Sequence, residues 1–333
     1  MIKRVTLTSM RNILTEQSDG SGSGRAIQTP TVSVIIPTKN RVRDLALAVE
    51  TLFRQTILPS ELVIVDQSES DDSGIKVKSL YQALPDDQRL TLHLHYIHDP
   101  LIAGLTAARN AALARNSCDI LLFLDDDVEL EENFLEELLR TYASHPNVAG
   151  VSGVVTNYSA PPLAMRLWKQ IFMRGPFRDD RERFYWEAAA RRGGGVRRVT
   201  RLGGGLMSFR ASAIGDVRFD ERLRGVSDGE DVDFCMRLGT GAELLMNSRA
   251  RLVHNASPAG RTADHWLRRY LRGQIYLYQR NWNFGVRNRL CFLWFMTGAT
   301  LIASLSSVRR ISLGPLKALV LGHRDGVAAA SGQ

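Results

Sequence analysis

The sequence predicts an α/β fold: a Rossmann-like three-layer sandwich with a parallel sheet between helices, followed by a helical C-terminal extension. Three observations carry this. From residue 31, short and nearly continuous apolar runs alternate with helical periods, the pattern of strands buried on both faces. Polar residues gather where three of those runs end, at the rim where parallel sheets bind ligands. Beyond residue 260 the strand runs stop and helical periodicity takes over. The 333 residues are 44% hydrophobic and 23% charged, which excludes a disordered chain, a fibre or a collagen-like repeat.

Taken in order, residues 1–30 hold no apolar signal-peptide core, and the Ser/Gly run within 17–25 reads as a flexible linker. Residues 31–260 read as one α/β domain. Its strands are expected at Val32–Ile36, Leu62–Val65, Thr91–Ile97 and Ile120–Leu124. Helical stripes lie between and after them: Val42, Leu45, Val49, Leu52 and Phe53; the Ala-rich 101–116; and Phe134, Leu135, Leu138, Leu139 and Tyr142. A basic, aromatic insertion fills about 156–201, where Arg166 to Arg201 hold 11 Lys and Arg against 4 Asp and Glu. Such a stretch suits an anionic partner or a solvated loop. Gly203-Gly204-Gly205 then opens a short strand that something approaches closely. A helix over about 229–239, a strand ending at His254 and a helix with Leu267, Leu271, Ile275, Tyr278 and Trp282 complete the order.

The net charge is +8, yet no zinc finger, RNP1-like run or KH-type loop accompanies it, so nucleic acid is not an expected partner. No GxxxxGK[ST] occurs, which leaves a P-loop NTPase unsupported. Cys118, Cys235 and Cys291 lie far apart with no ligand spacing, which excludes a disulfide scaffold and points to a reducing compartment.

The chemistry-bearing residues sit at strand ends. The first run leads into Pro37-Thr38-Lys39-Asn40-Arg41, the second into Asp66-Gln67-Ser68, and the fourth into Asp125-Asp126-Asp127. Three consecutive carboxylates repel unless something positive binds, and Asp125 and Asp127, two apart, can face one side and hold a divalent cation. A solvated turn with Asp127 near a helix cap fits the same residues. In Ser227-Asp-Gly-Glu230-Asp231, Ser227 and Glu230 spell a capping box, while Asp231 is an acid at a helix start able to accept a proton. His254, Asp66 and Asn110 fit structural roles equally well when taken singly.

In order, Val-Ser-Val-Ile-Ile-Pro-Thr-Lys-Asn-Arg, Leu-Val-Ile-Val-Asp, Ala-Ala-Arg-Asn, Leu-Asp-Asp-Asp and Gly-Glu-Asp-Val-Asp-Phe resemble glycosyltransferase family 2 over roughly 31–260. The resemblance implies a GT-A fold and inverting transfer of a sugar from a nucleotide donor to a polysaccharide or glycolipid acceptor. It implies a nucleobase pocket of Pro37, Thr38 and Asp66, with Arg109 and Asn110 near the nucleotide and Asp125 facing its ribose. It makes Asp127 and His254 ligands of Mg²⁺ or Mn²⁺, and Asp231 the catalytic base. Gly204, Gly205 and Glu230 would lie on the acceptor side. Asp66-Gln67-Ser68 departs from the family's common Asp-Asp-Gly-Ser, which leaves the nucleobase open. A metal-dependent nucleotidyltransferase and a non-enzymatic scaffold at a membrane are the alternatives.

Cys291–Ser307 is 17 residues without a charge, flanked by Arg287 and Arg289 before and Arg309 and Arg310 after. It is short and hydroxyl-rich for a span of roughly 20 residues. An in-plane anchor on anionic lipid is expected, with a buried helix or a span as alternatives. The expected location is cytoplasmic, peripheral on the inner face of the cytoplasmic membrane.

Overall fold

A computed structural model describes residues 30–158, 162–174, 195–223, 229–239, 241–255, 262–281 and 285–332. The predicted N-terminal linker, half of the basic insertion, including Arg191 and Arg192, and both Ser227 and Trp282 lie outside these residues.

The first half follows the predicted alternation. β1 (Val32–Thr38), α1 (Val42–Phe53), β2 (Glu61–Asp66), α2 (Asp72–Gln82), β3 (His93–His98), α3 (Leu105–Leu113) and β4 (Ile120–Leu124) succeed one another. The strands lie parallel in the order β3-β2-β1-β4. Alternate residues feed two cores, as the two-residue period of a strand requires. Val34, Ile36, Leu62, Ile64, Leu122 and Leu124 pack on one face of the sheet, and Ile35, Val63, Val65, Leu121 and Phe123 on the other. This is why the four runs read as continuously apolar.

The second half departs from a purely parallel sheet. It contains β5 (Val128–Leu130), α4 (Phe134–Ser144), β6 (Gly150–Val155), α5 (Leu163–Trp168) with a π-helical turn at Lys169–Arg174, β7 (Val196–Val199), β8 (Leu206–Arg210), α6 (Glu230–Arg237) and β9 (Leu244–His254). β8 inserts antiparallel between β4 and β6. β9 runs parallel to β6 and pairs antiparallel with β7 along its first half and β5 along its last. Arg197 and Arg198 therefore belong to an edge strand, not to a loop.

Among the described residues, three helices follow β9: α7 (Ala263–Asn281), α8 (Val286–Arg310) and α9 (Gly314–Ser331). α9 packs along α7 through Gly322 and Gly326. A Cβ on Gly322 would meet the Arg268 carbonyl at 2.6 Å, and one on Gly326 the Ile275 Cβ at 2.8 Å. α8 buries Phe295, Ala299 and Ala303 but exposes Leu293, Leu301, Leu305 and Val308. Trp168 Nε1 donates to the Gly298 carbonyl at 3.0 Å and Trp294 Nε1 to the Ile171 carbonyl at 2.7 Å, fastening the start of the insertion to α8.

Candidate active site

Strand register assembles the site. Thr38 stands beside Asp66 where β1 and β2 end, with Pro37 beside Val65. All three of Pro37, Thr38 and Asp66 are buried. Thr38 Oγ1 donates to Asp126 at 2.7 Å. Asp66 accepts from the Ser68 amide at 2.9 Å and the Tyr96 hydroxyl at 2.5 Å, and from the Ser68 hydroxyl. The carboxylate thus shapes the rim from beneath.

β5, which the sequence reading missed, pairs Val128 with His254, and Asn255 donates its amide to the Asp127 carbonyl at 2.8 Å. This ladder brings His254 Nε2 to 2.9 Å from Asp127 Oδ1 and 3.9 Å from Asp125 Oδ2. One donor atom from each of Asp125, Asp127 and His254 lies within 4.8 Å of the others. Asp125, which the resemblance put at the ribose and the two-residue spacing put beside Asp127, stands with the two expected metal ligands. Two carboxylates and an imidazole are a donor set for Mn²⁺ or Mg²⁺. Arg41 Nη1, not foreseen as a site residue, bridges Asp126 at 2.9 Å and Asp127 at 3.0 Å. Burial pushes the Asp126 carboxyl up to about 6 against the opposing pull of Thr38 and Arg41. Burial raises Asp125 as well, with Arg109 opposing and Asp127 adding to the rise.

The β4–β8 ladder sets Gly205 opposite Asp125, whose amide donates to the Gly205 carbonyl at 3.3 Å. A Cβ on Gly205 would stand 2.6 Å from Asp125 Oδ2, so only glycine leaves this carboxylate its place. The neighbouring Gly204 amide donates to Asp231 Oδ2 at 3.1 Å. Asp231 and Asp125 are thus separated by two consecutive glycines, whose Cα atoms lie about 3.8 Å apart.

Arg109 ties these parts together from below. It is fully buried, donates to the Gly204 carbonyl at 2.7 Å and to Glu230 at 3.2 Å, and lies 3.5 Å from Asp125. Its guanidinium also stands over the Phe219 ring, 5.3 Å from the centroid. Ser227, the other half of the expected capping box, lies outside the described residues. α6 begins at Glu230 with Gly229 in the N-cap position at φ 127°, and the Glu230 carboxylate turns to Arg109. Asn110 points elsewhere. It holds the Phe219 backbone, with Nδ2 on the carbonyl at 2.9 Å and Oδ1 accepting from the amide at 2.8 Å, and it reaches Glu221 at 2.9 Å. Asn110 also lines an open cavity of about 930 Å³ with Asp220, Asp233 and Tyr276.

The family model described as Glycosyl transferase family 2 matches residues 33–199, half of the chain. The chain belongs to glycosyltransferase family 2. A GalNAc(5)-diNAcBac-PP-undecaprenol beta-1,3-glucosyltransferase of Campylobacter jejuni is 31% identical over 33% of this chain and 34% of its own. A glucosyl-dolichyl phosphate glucuronosyltransferase of Haloferax volcanii is 26% identical over 71% of this chain and 72% of its own. The chain spans half or less of the length of the first curated relatives it matches. Among solved structures, a Pyrobaculum calidifontis mannosyltransferase in complex with GDP-Man and Mn²⁺ superimposes with a TM-score of 0.55 at 13% identity, covering 97% of this chain and 93% of that one. S. aureus TarS 1-349 in complex with UDP-GlcNAc gives 0.56 at 14% identity, over 90% and 81%. The family 2 chain has the GT-A fold.

Proposed function

We propose that this family 2 chain is an inverting glycosyltransferase that moves a sugar from a nucleoside-diphosphate donor to a hydroxyl of a lipid-linked glycan acceptor. The observation that carries the reading is the pair of glycines between Asp125 and Asp231. The contacts of the two acids with consecutive glycines support reading Asp125 as the metal-side carboxylate and Asp231 as the proton acceptor next to it. A single displacement needs that arrangement, with the leaving group neutralised on one side and the nucleophile deprotonated on the other.

Asp125, Asp127 and His254 would hold a divalent cation, which would supply positive charge for the diphosphate, by analogy with the Mn²⁺ in the complex of the Pyrobaculum calidifontis mannosyltransferase with GDP-Man. Asp231 takes the proton of the acceptor hydroxyl while that oxygen bonds to the anomeric carbon, and the diphosphate leaves with the electron pair of the broken bond. The Gly204 amide orients Asp231 Oδ2, and Arg109 fixes Gly204 in turn. Arg41 sits against Asp126 and Asp127, where it steadies the acidic turn. Pro37, Thr38 and Asp66 form the wall against which the nucleobase lies. The prenol and dolichyl phosphates in the relatives' names support a lipid-linked acceptor.

Asp231→Asn keeps the size and the Gly204 contact but loses the negative charge. Donor binding should survive while transfer falls by roughly 10²–10⁴. Turnover on a nucleotide-sugar panel checks this, together with the anomeric configuration of the product by NMR. A free nucleoside diphosphate and an inverted product are expected. Normal turnover in Asp231→Asn, a retained configuration, or release of pyrophosphate would each overturn the proposal.

A further inference from the structure

Between α5, α7 and α8 lies an apolar cavity of about 210 Å³. Trp168, Trp266, Tyr270 and Phe295 supply its aromatic walls, and Ala299 and Ile302 of α8 line it further. Lys169 and Arg310 lie at the same cavity, the latter paired with Asp264 at 2.7 Å. The cavity adjoins an exposed apolar surface: Leu163 and Leu167 on α5, and Leu301 and Leu305 on α8.

One face of α7 runs from this cavity to the catalytic turn. Trp266 and Tyr270, their rings stacked at 5.0 Å, form the cavity end. Gly273 and Leu277, three and seven residues after Tyr270 and so on the same face, form the other. A Cβ on Gly229 would touch Leu277 at 3.3 Å and the Gly273 Cα at 3.7 Å. Gly229 directly precedes Glu230 and Asp231. At 1.5 Å per residue, Tyr270 and Leu277 stand about 10 Å apart along the helix.

We propose that this cavity takes the hydrocarbon chain of a polyprenyl-phosphate-linked acceptor. Lys169 and Arg310 meet the phosphate, and the buried α7 face, packed on Gly229, fixes how the cavity stands relative to Asp231. The inference rests on the glycosyltransfer reading for its choice of ligand. An apolar interior bordered by Lys169 and the Arg310–Asp264 pair, a net positive edge, matches an amphiphile that is a hydrocarbon at one end and an anion at the other. Its nearness to an exposed apolar face gives such a molecule a way in from a bilayer.

Farnesyl phosphate serves as the probe, titrated calorimetrically into the full chain. Ala299→Phe fills the cavity from α8, and Ser306→Phe fills it from a less buried position if the first variant fails to fold. Each is checked by its thermal midpoint. Either folded variant should bind farnesyl phosphate at least tenfold more weakly, with hydrolysis of nucleotide sugars in the absence of acceptor unchanged. Leu305→Asp, on the outward side of α8, should bind as the wild type does, and inorganic phosphate should not displace the probe. Unchanged affinity in a folded filling variant overturns the inference, as does equal weakening by Leu305→Asp, which would mark adsorption to the outer face. A wild-type chain that binds farnesyl phosphate in the cavity but hydrolyses and transfers no nucleotide sugar would overturn the glycosyltransfer reading and leave the chain site standing.

Discussion

Arg109 holds the Gly204 carbonyl, Glu230 and Asp125 from a fully buried position. Arg109→Leu would remove the guanidinium that both buried-side carboxylates, Asp125 and Glu230, face. We expect a loss of about 3–5 kcal/mol in urea unfolding; a loss below about 1 kcal/mol would contradict this role. Gly205→Ala acts more narrowly. Its Cβ would displace the Asp125 carboxylate, so Mn²⁺ affinity measured by calorimetry should fall roughly 10–100-fold while the thermal midpoint moves little. Asp220 offers a pH test away from the metal-side acids. Burial pushes its carboxyl up, but bonds from Arg222 and Tyr276 outweigh this and hold it below the ordinary carboxylate range. A carboxyl lowered in the folded state stabilises above its unfolded value of about 3.9 and loses that contribution as pH falls toward the folded value. Asp220→Asn should therefore cost about 1–3 kcal/mol at pH 7 and visibly less at pH 3, as paired urea titrations would register. An equal cost at both pH values would assign the loss to packing.

At the scale of elements, β1, β2 and β4 were legible because each is apolar on both faces and ends in polar residues. β5 is only three residues long, β6 contains two glycines, and β7 reads Val-Arg-Arg-Val on an edge; none offers a periodic signal. β9 was legible only over its last residues, since Asn247, Ser248 and Arg249 interrupt the apolar run. Asn247 is nonetheless buried and binds the Glu137 carbonyl and Thr141 hydroxyl of α4, a partner set more than 100 residues away. Arg41 was not foreseen and Arg109 was expected only near the nucleotide, because the acids each one meets, Asp126 and Asp127 for Arg41 and Glu230 for Arg109, come from other elements. Asp125, Asp127, Asp231 and His254 stood out by position in an ordered set, but their mutual distances come from the antiparallel β4–β8 and β5–β9 ladders. The α7–α9 contact makes its own prediction. Gly326→Leu must push α9 from α7, at about 1–3 kcal/mol. A lowered thermal midpoint with retained donor binding is the expected result, and an unchanged midpoint would contradict the packing.

For the whole molecule, α8 is the one helix among the described residues long and apolar enough to cross a membrane, with a third of its apolar window buried. One face packs on α9 and the π turn while Leu293, Leu301, Leu305 and Val308 face outward, a division that supports an in-plane anchor. Because α9 lies against α7, removing everything after α7 would bare that helix, so point variants are the cleaner test. Leu301→Asp with Leu305→Asp should abolish flotation with anionic liposomes, whereas the unaltered chain should float; flotation of both would contradict a docking role for this face. The account as a whole rests on a metal-side cluster distinct from a proton-accepting side. Thermal shifts on a panel of nucleotide sugars, with and without Mn²⁺, in the wild type, Asp127→Ala and Asp231→Asn, test it most directly. At least one donor should stabilise the wild type more with Mn²⁺ than without, Asp127→Ala should lose the metal-dependent increment, and Asp231→Asn should keep it. Equal shifts with and without the metal, or loss of the increment in Asp231→Asn alone, would contradict the account.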